Sequence, residues 1–98
     1  MIIQEVKAAL AGAERPIVKV LQKSENVKVI VLGLKKGVIL KEHQTNVTTK
    51  LVVIEGNITY REGSASVMID RFEDIDIPVN TLHAVEAMED SICLLIQG

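Results

Sequence analysis

The sequence predicts an all-β domain, a sandwich or barrel of short strands behind one short N-terminal helix. Three observations predict it. The chain is 48% hydrophobic and 24% charged, a globular balance, and Val and Ile, which suit pleated sheets, dominate its aliphatic share. Polar and glycine-bearing turn clusters recur every few residues between short apolar runs. No helical pattern alternates with those runs, which excludes a doubly wound fold. At 98 residues the chain has room for one core.

Residues Met1 to Ala13 place Ile2, Ile3, Val6, Ala9 and Leu10 at helical spacing, with Gln4, Glu5 and Lys7 between them. This is an amphipathic helix ending near Gly12, and with its lead-in it occupies residues 1–15, ahead of a barrel domain at 16–98. Pro16 opens an extended run, Ile17 to Leu21. The turn at Lys23, Ser24, Glu25 and Asn26 leads to Val27 to Leu32, and the turn at Lys35, Lys36 and Gly37 leads to Val38 to His43; two hairpins are expected here. A polar loop, Gln44 to Thr48, precedes Leu51 to Ile54, and Glu55, Gly56 and Asn57 turn the chain into Ile58 to Arg61. After a turn at Glu62, Gly63 and Ser64 come Val67 to Ile69, Ile75 to Ile77, Leu82 to Val85 and Ile92 to Ile96. Eight or nine strands result.

Composition excludes several function classes. With Tyr60 and Phe72 as the only aromatics, a net charge of −2 and scattered lysines, no basic or stacking surface for nucleic acid is expected. The N-terminal segment reads neither as a signal peptide nor as a membrane span, so no membrane association is expected. Cys93 is the only cysteine and sits in an apolar run, as a small core residue would; a cytoplasmic location is the expectation. The runs 51–54 and 92–96 are apolar in both alternating phases, so their outer faces need a cover. A homodimer is the expected cover, and the N-terminal helix is its competitor. Glu73, Asp74 and Asp76 read as a charged strand edge that discourages aggregation.

The only two histidines stand about 40 residues apart, in matching contexts. Gly37 is followed by five residues and His43, Thr45 comes two residues later, then Thr49, and after six intervening residues Gly56; Pro78, Asn80, His83 and Ala87 form a second group. This arrangement resembles the two motifs of the cupins, in particular the small single-domain conserved-barrel type, over roughly Pro16 to the C-terminus. The first cupin motif has a second His where Thr45 stands and a Glu where Thr49 stands; the second has Gly at Asn80 and Asn at Ala87. Asn80 suits a left-handed turn position nearly as Gly does. The resemblance implies a double-stranded β-helix, or jelly-roll, cupin barrel around a pocket.

Family members with all four ligands hold a divalent transition metal. Here His43 and His83 remain, and neutral Thr hydroxyls are poor ligands for such ions. No cofactor is therefore expected, with a metal held by His43 and His83 as the alternative. Strand alternation puts His43 with Thr45, Thr49 with Leu51 and Val53, and His83 with Thr81 and Val85, and turns Glu42, Lys50 and Glu86 away unless a bulge intervenes. The expected pocket has His43, Thr45, Thr49, His83 and Gln44 at a polar end and Leu51, Val53 and Val85 as apolar wall. It suits a small molecule with a polar head, bound or sensed. A metal-dependent oxygenase or isomerase, and a structural or partner-binding barrel, are the alternatives.

Overall fold

The structure is a computed structural model describing residues 1–98. Helix α1 spans Ile2–Ala9, followed by nine strands: β1 Ile17–Lys23, β2 Lys28–Leu34, β3 Ile39–His43, β4 Thr49–Glu55, β5 Asn57–Glu62, β6 Ala65–Asp70, β7 Asp74–Ile77, β8 His83–Ala87 and β9 Ser91–Gln97. They form a five-stranded sheet, β1-β2-β9-β4-β7, and a four-stranded sheet, β3-β8-β5-β6. Every pairing is antiparallel. The two sheets stay open, with β1, β7, β3 and β6 as edges, and pack into the double-stranded β-helix arrangement.

Between the sheets lies the main core, built from alternate residues: Leu32 and Leu34 of β2, Leu51 and Val53 of β4, Ile58 and Tyr60 of β5, Ile69, Ile77, Val85, Ala87 and Cys93. The period-two burial of β4 and β8 follows from one face of each strand being turned inward. Burial pushes the Cys93 thiol up to about 12, so it stays protonated, as an inert core residue does.

On the outer face of the larger sheet, Val6 and Leu10 of α1 pack on Val31 and Ile92, with Ile2, Ile3, Ile17, Ile54 and Leu94 around them. The helix thus covers much of the second apolar phase of β4 and β9. Fully burying a side chain such as Val6 or Leu10 contributes roughly 1.5–3 kcal/mol. Close approach requires Gly33, where a Cβ would meet Val6 Cγ1 at 2.5 Å. The helix is shorter than its apolar spacing suggested: Leu10 caps it, and Gly12 follows in a left-handed turn.

One expected hairpin is absent. β1 and β2 do pair, but β2 runs on to pair with β9 while β3 pairs with β8, so the Lys35, Lys36 and Gly37 turn carries the chain from one sheet to the other. Glu55, Gly56 and Asn57 make the next crossing, between β4 and β5. Gly56 has φ +81°, and a Cβ there would collide with the Asp90 carbonyl oxygen and Ser91 Oγ. Asp74 and Asp76 lie on edge strand β7 as anticipated, and Lys50 bridges them at 3.1 and 3.0 Å.

Candidate functional site

The two histidine-bearing segments are stitched together by backbone hydrogen bonds at both ends. Gly37 N–H donates to the Ala87 carbonyl at 2.9 Å and Ala87 N–H to Val38 at 3.1 Å, while Asn80 N–H donates to the Thr45 carbonyl at 2.7 Å. Asn80 has φ +58°, the left-handed conformation its side chain tolerates.

A bulge then aims His43. Leu40 pairs with Val85 and His43 with His83, so two residues of β3, Lys41 and Glu42, oppose Ala84 alone. Regular alternation would put Leu40 and His43 on opposite faces; the extra residue turns both inward. Leu40 packs on the core, and the His43 ring lies 4.3 Å from that of His83, centroid to centroid, tilted by 56°. Glu42 remains exposed. A bulge exists where one was needed to redirect Glu42, but it redirects His43.

Both imidazoles are held alike. His43 Nδ1 donates to the Lys41 carbonyl at 2.8 Å and His83 Nδ1 to the Thr81 carbonyl at 3.0 Å; a carbonyl can only accept, so each Nδ1 carries a proton and each Nε2 is left to other partners. His83 is 2% exposed, and burial holds its pKa below the ordinary 6.5, with the neighbouring His43 adding to the depression against opposing pulls from the Thr81 carbonyl and Glu62. No protein group bonds His83 Nε2. Asn57 Oδ1 is the one sealed side-chain polar atom lacking a partner, so Nε2 keeps a path to solvent.

Two further residues join them. Across the smaller sheet His83 lies opposite Glu62, and Glu62 opposite Ala65, so the row His43, His83, Glu62 crosses the inner face at one end of the strands. The Tyr60 ring stacks on His83 at 5.7 Å, and its hydroxyl donates to Glu62 Oε1 at 2.8 Å. Burial, reinforced by Glu62, raises the Tyr60 pKa well above 10, so the phenol stays a donor. Tyr60 and Glu62 floor a cleft of about 280 Å³ between β6 and β7, walled by Ala65, Val67, Ile75 and Pro78. Neither was among the expected pocket residues; Tyr60 follows the inward Ile58 by two, a signal that could have found it, whereas Glu62 was hidden by the Gly63 turn beside it.

The other expected pocket residues are placed differently. Thr45 Oγ1 donates to the Val47 carbonyl at 2.8 Å and accepts from Val47 N–H, fastening the loop after β3. Thr49 is buried, donates to the same carbonyl at 3.1 Å and meets Gln97 Nε2 at 3.4 Å. Gln44 is exposed. Leu51, Val53 and Val85 are packed in the closed core and wall none of the open clefts. The packing of Tyr60 against His83 accounts for this: an aromatic ring and a carboxylate stand toward the β6 side of the imidazole pair, and the aliphatic residues close over one another beneath them.

The donor set bears on a metal. Two imidazoles converge, but no group of three or more His, Cys, Asp and Glu side chains is placed to hold an ion. Where a carboxylate would complete the set, Thr49 offers a neutral hydroxyl engaged with the backbone. Transition-metal sites are held tightly by three or four such ligands. The residues present do not fit a tightly held ion.

No protein-family model matches the chain, and no curated protein matches it in sequence. Solved structures do match. An RmlC-like cupin from Desulfovibrio desulfuricans is 28% identical with a TM-score of 0.76, over 85% of this chain and 82% of that one. A cupin 2 conserved barrel domain protein from Leptotrichia buccalis is 26% identical with a TM-score of 0.77, over 84% of this chain and 40% of that one. The DMSP lyase DddQ from Ruegeria pomeroyi shares the fold at a TM-score of 0.77 with 14% identity, over 85% of this chain and 46% of the lyase. With two antiparallel sheets, both histidine motifs joined at one end and these likenesses, the chain is a small member of the cupin superfamily.

Proposed function

We propose that the chain binds a small molecule with a polar head at the histidine end of the sandwich, as a receptor or sensor. One observation carries the reading: both imidazoles spend Nδ1 on a backbone carbonyl and keep Nε2 free, side by side, next to a cleft floored by Tyr60 and Glu62. Buried polar atoms are nearly always hydrogen-bonded to protein or solvent, so an Nε2 with no protein partner is available to a ligand. A cleft of about 280 Å³ approaches the lower size of small-ligand sites, roughly 300 Å³. Screening fragments grouped as amines, alcohols, ketones and carboxylates by backbone amide shifts tests it. At least one group is expected to shift residues 43, 60, 62 and 83 together, and to raise the melting temperature by mass action. His43→Gln, at a half-buried position that a polar side chain tolerates, is expected to weaken that binding. If no group shifts these residues, the reading fails.

A second reading is acid–base catalysis on the bound molecule. The depressed pKa of His83 favours it, because a neutral imidazole with a free Nε2 is able to accept a proton at neutral pH. Turnover of a bound fragment, followed by exchange of its acidic C–H for deuterium, would separate this reading from simple binding.

We also propose a homodimer as the working form. Val18 and Val20 pair with Leu32 and Ile30 and so point to the inner side of their sheet, yet are 54% and 46% exposed, because edge strand β1 packs chiefly on β2 and α1. A second copy of the chain is the proposed cover.

A further inference from the structure

We propose that the cleft floored by Tyr60 and Glu62 selects a ligand carrying a primary or secondary ammonium group, with Glu62 as its counter-ion. This rests on the binding reading above and names the ligand's chemical class. The lining residues are Tyr60, Glu62, Ala65, Ser66, Val67, Ile75, Asp76 and Pro78, among which there is no cation. Of the two carboxylates, Asp76 is taken by Lys50 at 3.0 Å, on the exposed lip of the cleft. Glu62 forms no ion pair. It is half-buried, and its one bond within the protein is from the Tyr60 hydroxyl to Oε1.

The cations nearby are turned elsewhere. Arg61, next to Glu62 on β5, points to the opposite face and pairs with Glu86 at 2.9 Å. Lys50 bridges Asp74 and Asp76. His83, the cross-strand neighbour of Glu62, is held neutral by burial and so supplies no compensating charge. Glu62 thus stands half-buried with a single hydroxyl as its protein partner.

Its surroundings favour a cation over any other head group. The phenol donates to Glu62, leaving oxygen lone pairs as acceptors, and the free Nε2 of His83 behind it is an acceptor too. The Tyr60 ring offers an aromatic face of the kind that attracts ammonium groups. Val67, Ile75 and Pro78 can enclose a small apolar body. A carboxylate ligand would instead meet Glu62 as a like charge.

Benzylamine, benzyl alcohol and benzoate, matched in size, are the probes, titrated near neutral pH into the full chain with amide shifts and melting temperature recorded. Benzylamine is expected to shift Tyr60, Glu62 and Val67 and to bind at least tenfold tighter than the other two. Glu62→Gln retains an acceptor for the Tyr60 hydroxyl and nearly the same shape; it is expected to keep the melting temperature and lose at least tenfold in benzylamine affinity. Asp76→Asn is expected to change that affinity less than threefold. Equal binding of benzoate or benzyl alcohol at these residues, or benzylamine binding indifferent to Glu62→Gln, overturns the ammonium assignment and leaves the binding reading standing. Absence of all three from these residues overturns the assignment as well, and the broader fragment screen then decides the binding reading by itself.

Discussion

His83 shows how much of this site is set by single atoms. Its Nδ1 is committed to the Thr81 carbonyl, its ring is packed between His43 and Tyr60, and its pKa is lowered chiefly by burial. In the unfolded chain the same imidazole takes up a proton more readily. Stability from this group is therefore fully present above the ordinary value of 6.5 and declines as pH falls from 6.5 toward the folded value. An NMR titration of the ring protons is expected to give His83 a midpoint below 6.5, with melting temperature dropping over the same window; a midpoint at or above 6.5 contradicts the burial argument. His43 was expected in the pocket, from its distance to Gly37 and the strand alternation that turned Glu42 away, whereas the bulge that aims it was not legible. A bulge at Lys41 and Glu42 depends on pairing with β8, which lies over 40 positions away and has no local signature. Thr45 and Thr49 lie at family ligand positions, yet their hydroxyls fasten a loop, because a neutral side chain next to free carbonyls finds a backbone partner first.

At the scale of elements, the turns decide the architecture. All nine strands were legible, since alternation and turn residues are local, but the same residues serve hairpins and sheet crossings alike. Lys35, Lys36 and Gly37 read as a hairpin turn and make a crossing; Glu62, Gly63 and Ser64 read as a turn and close a true hairpin between β5 and β6. The crossing at Gly56 carries the sharpest element-level prediction. Gly56→Ala forces a left-handed backbone, costing about 1–2 kcal/mol, and drives a methyl into the Asp90 and Ser91 segment, costing roughly 1–3 kcal/mol more. Urea unfolding is expected to show a loss of roughly 2–5 kcal/mol with an unchanged slope. A loss under about 1 kcal/mol would mean the crossing relaxes freely. Helix α1 answers the question raised by the doubly apolar strands: it lies on Val31 and Ile92, so much of their outer face is covered within the chain.

Across the whole molecule, the two sheets differ by one strand, and the surplus falls at β1. Val18 and Val20 are left on an inward side with little above them. If a second copy covers them, light scattering near about 10 μM, a concentration at which stable interfaces are formed, gives twice the 10.7 kDa chain mass. Val18→Lys with Val20→Lys is then expected to return it to 10.7 kDa without loss of the β-sheet signal. A wild-type mass of 10.7 kDa removes the dimer.

The sequence by itself determined the strands, the N-terminal helix, the inert cysteine and the two histidine motifs, because period, turn chemistry and spacing are carried by neighbours along the chain. Tertiary structure alone decided which turns cross between sheets, that His43 faces inward through a bulge, and that Tyr60 and Glu62 complete the site. Each of those depends on pairing between strands far apart in sequence: β3 with β8 aims one histidine at the other, and β8 with β5 sets an unpaired carboxylate beside them.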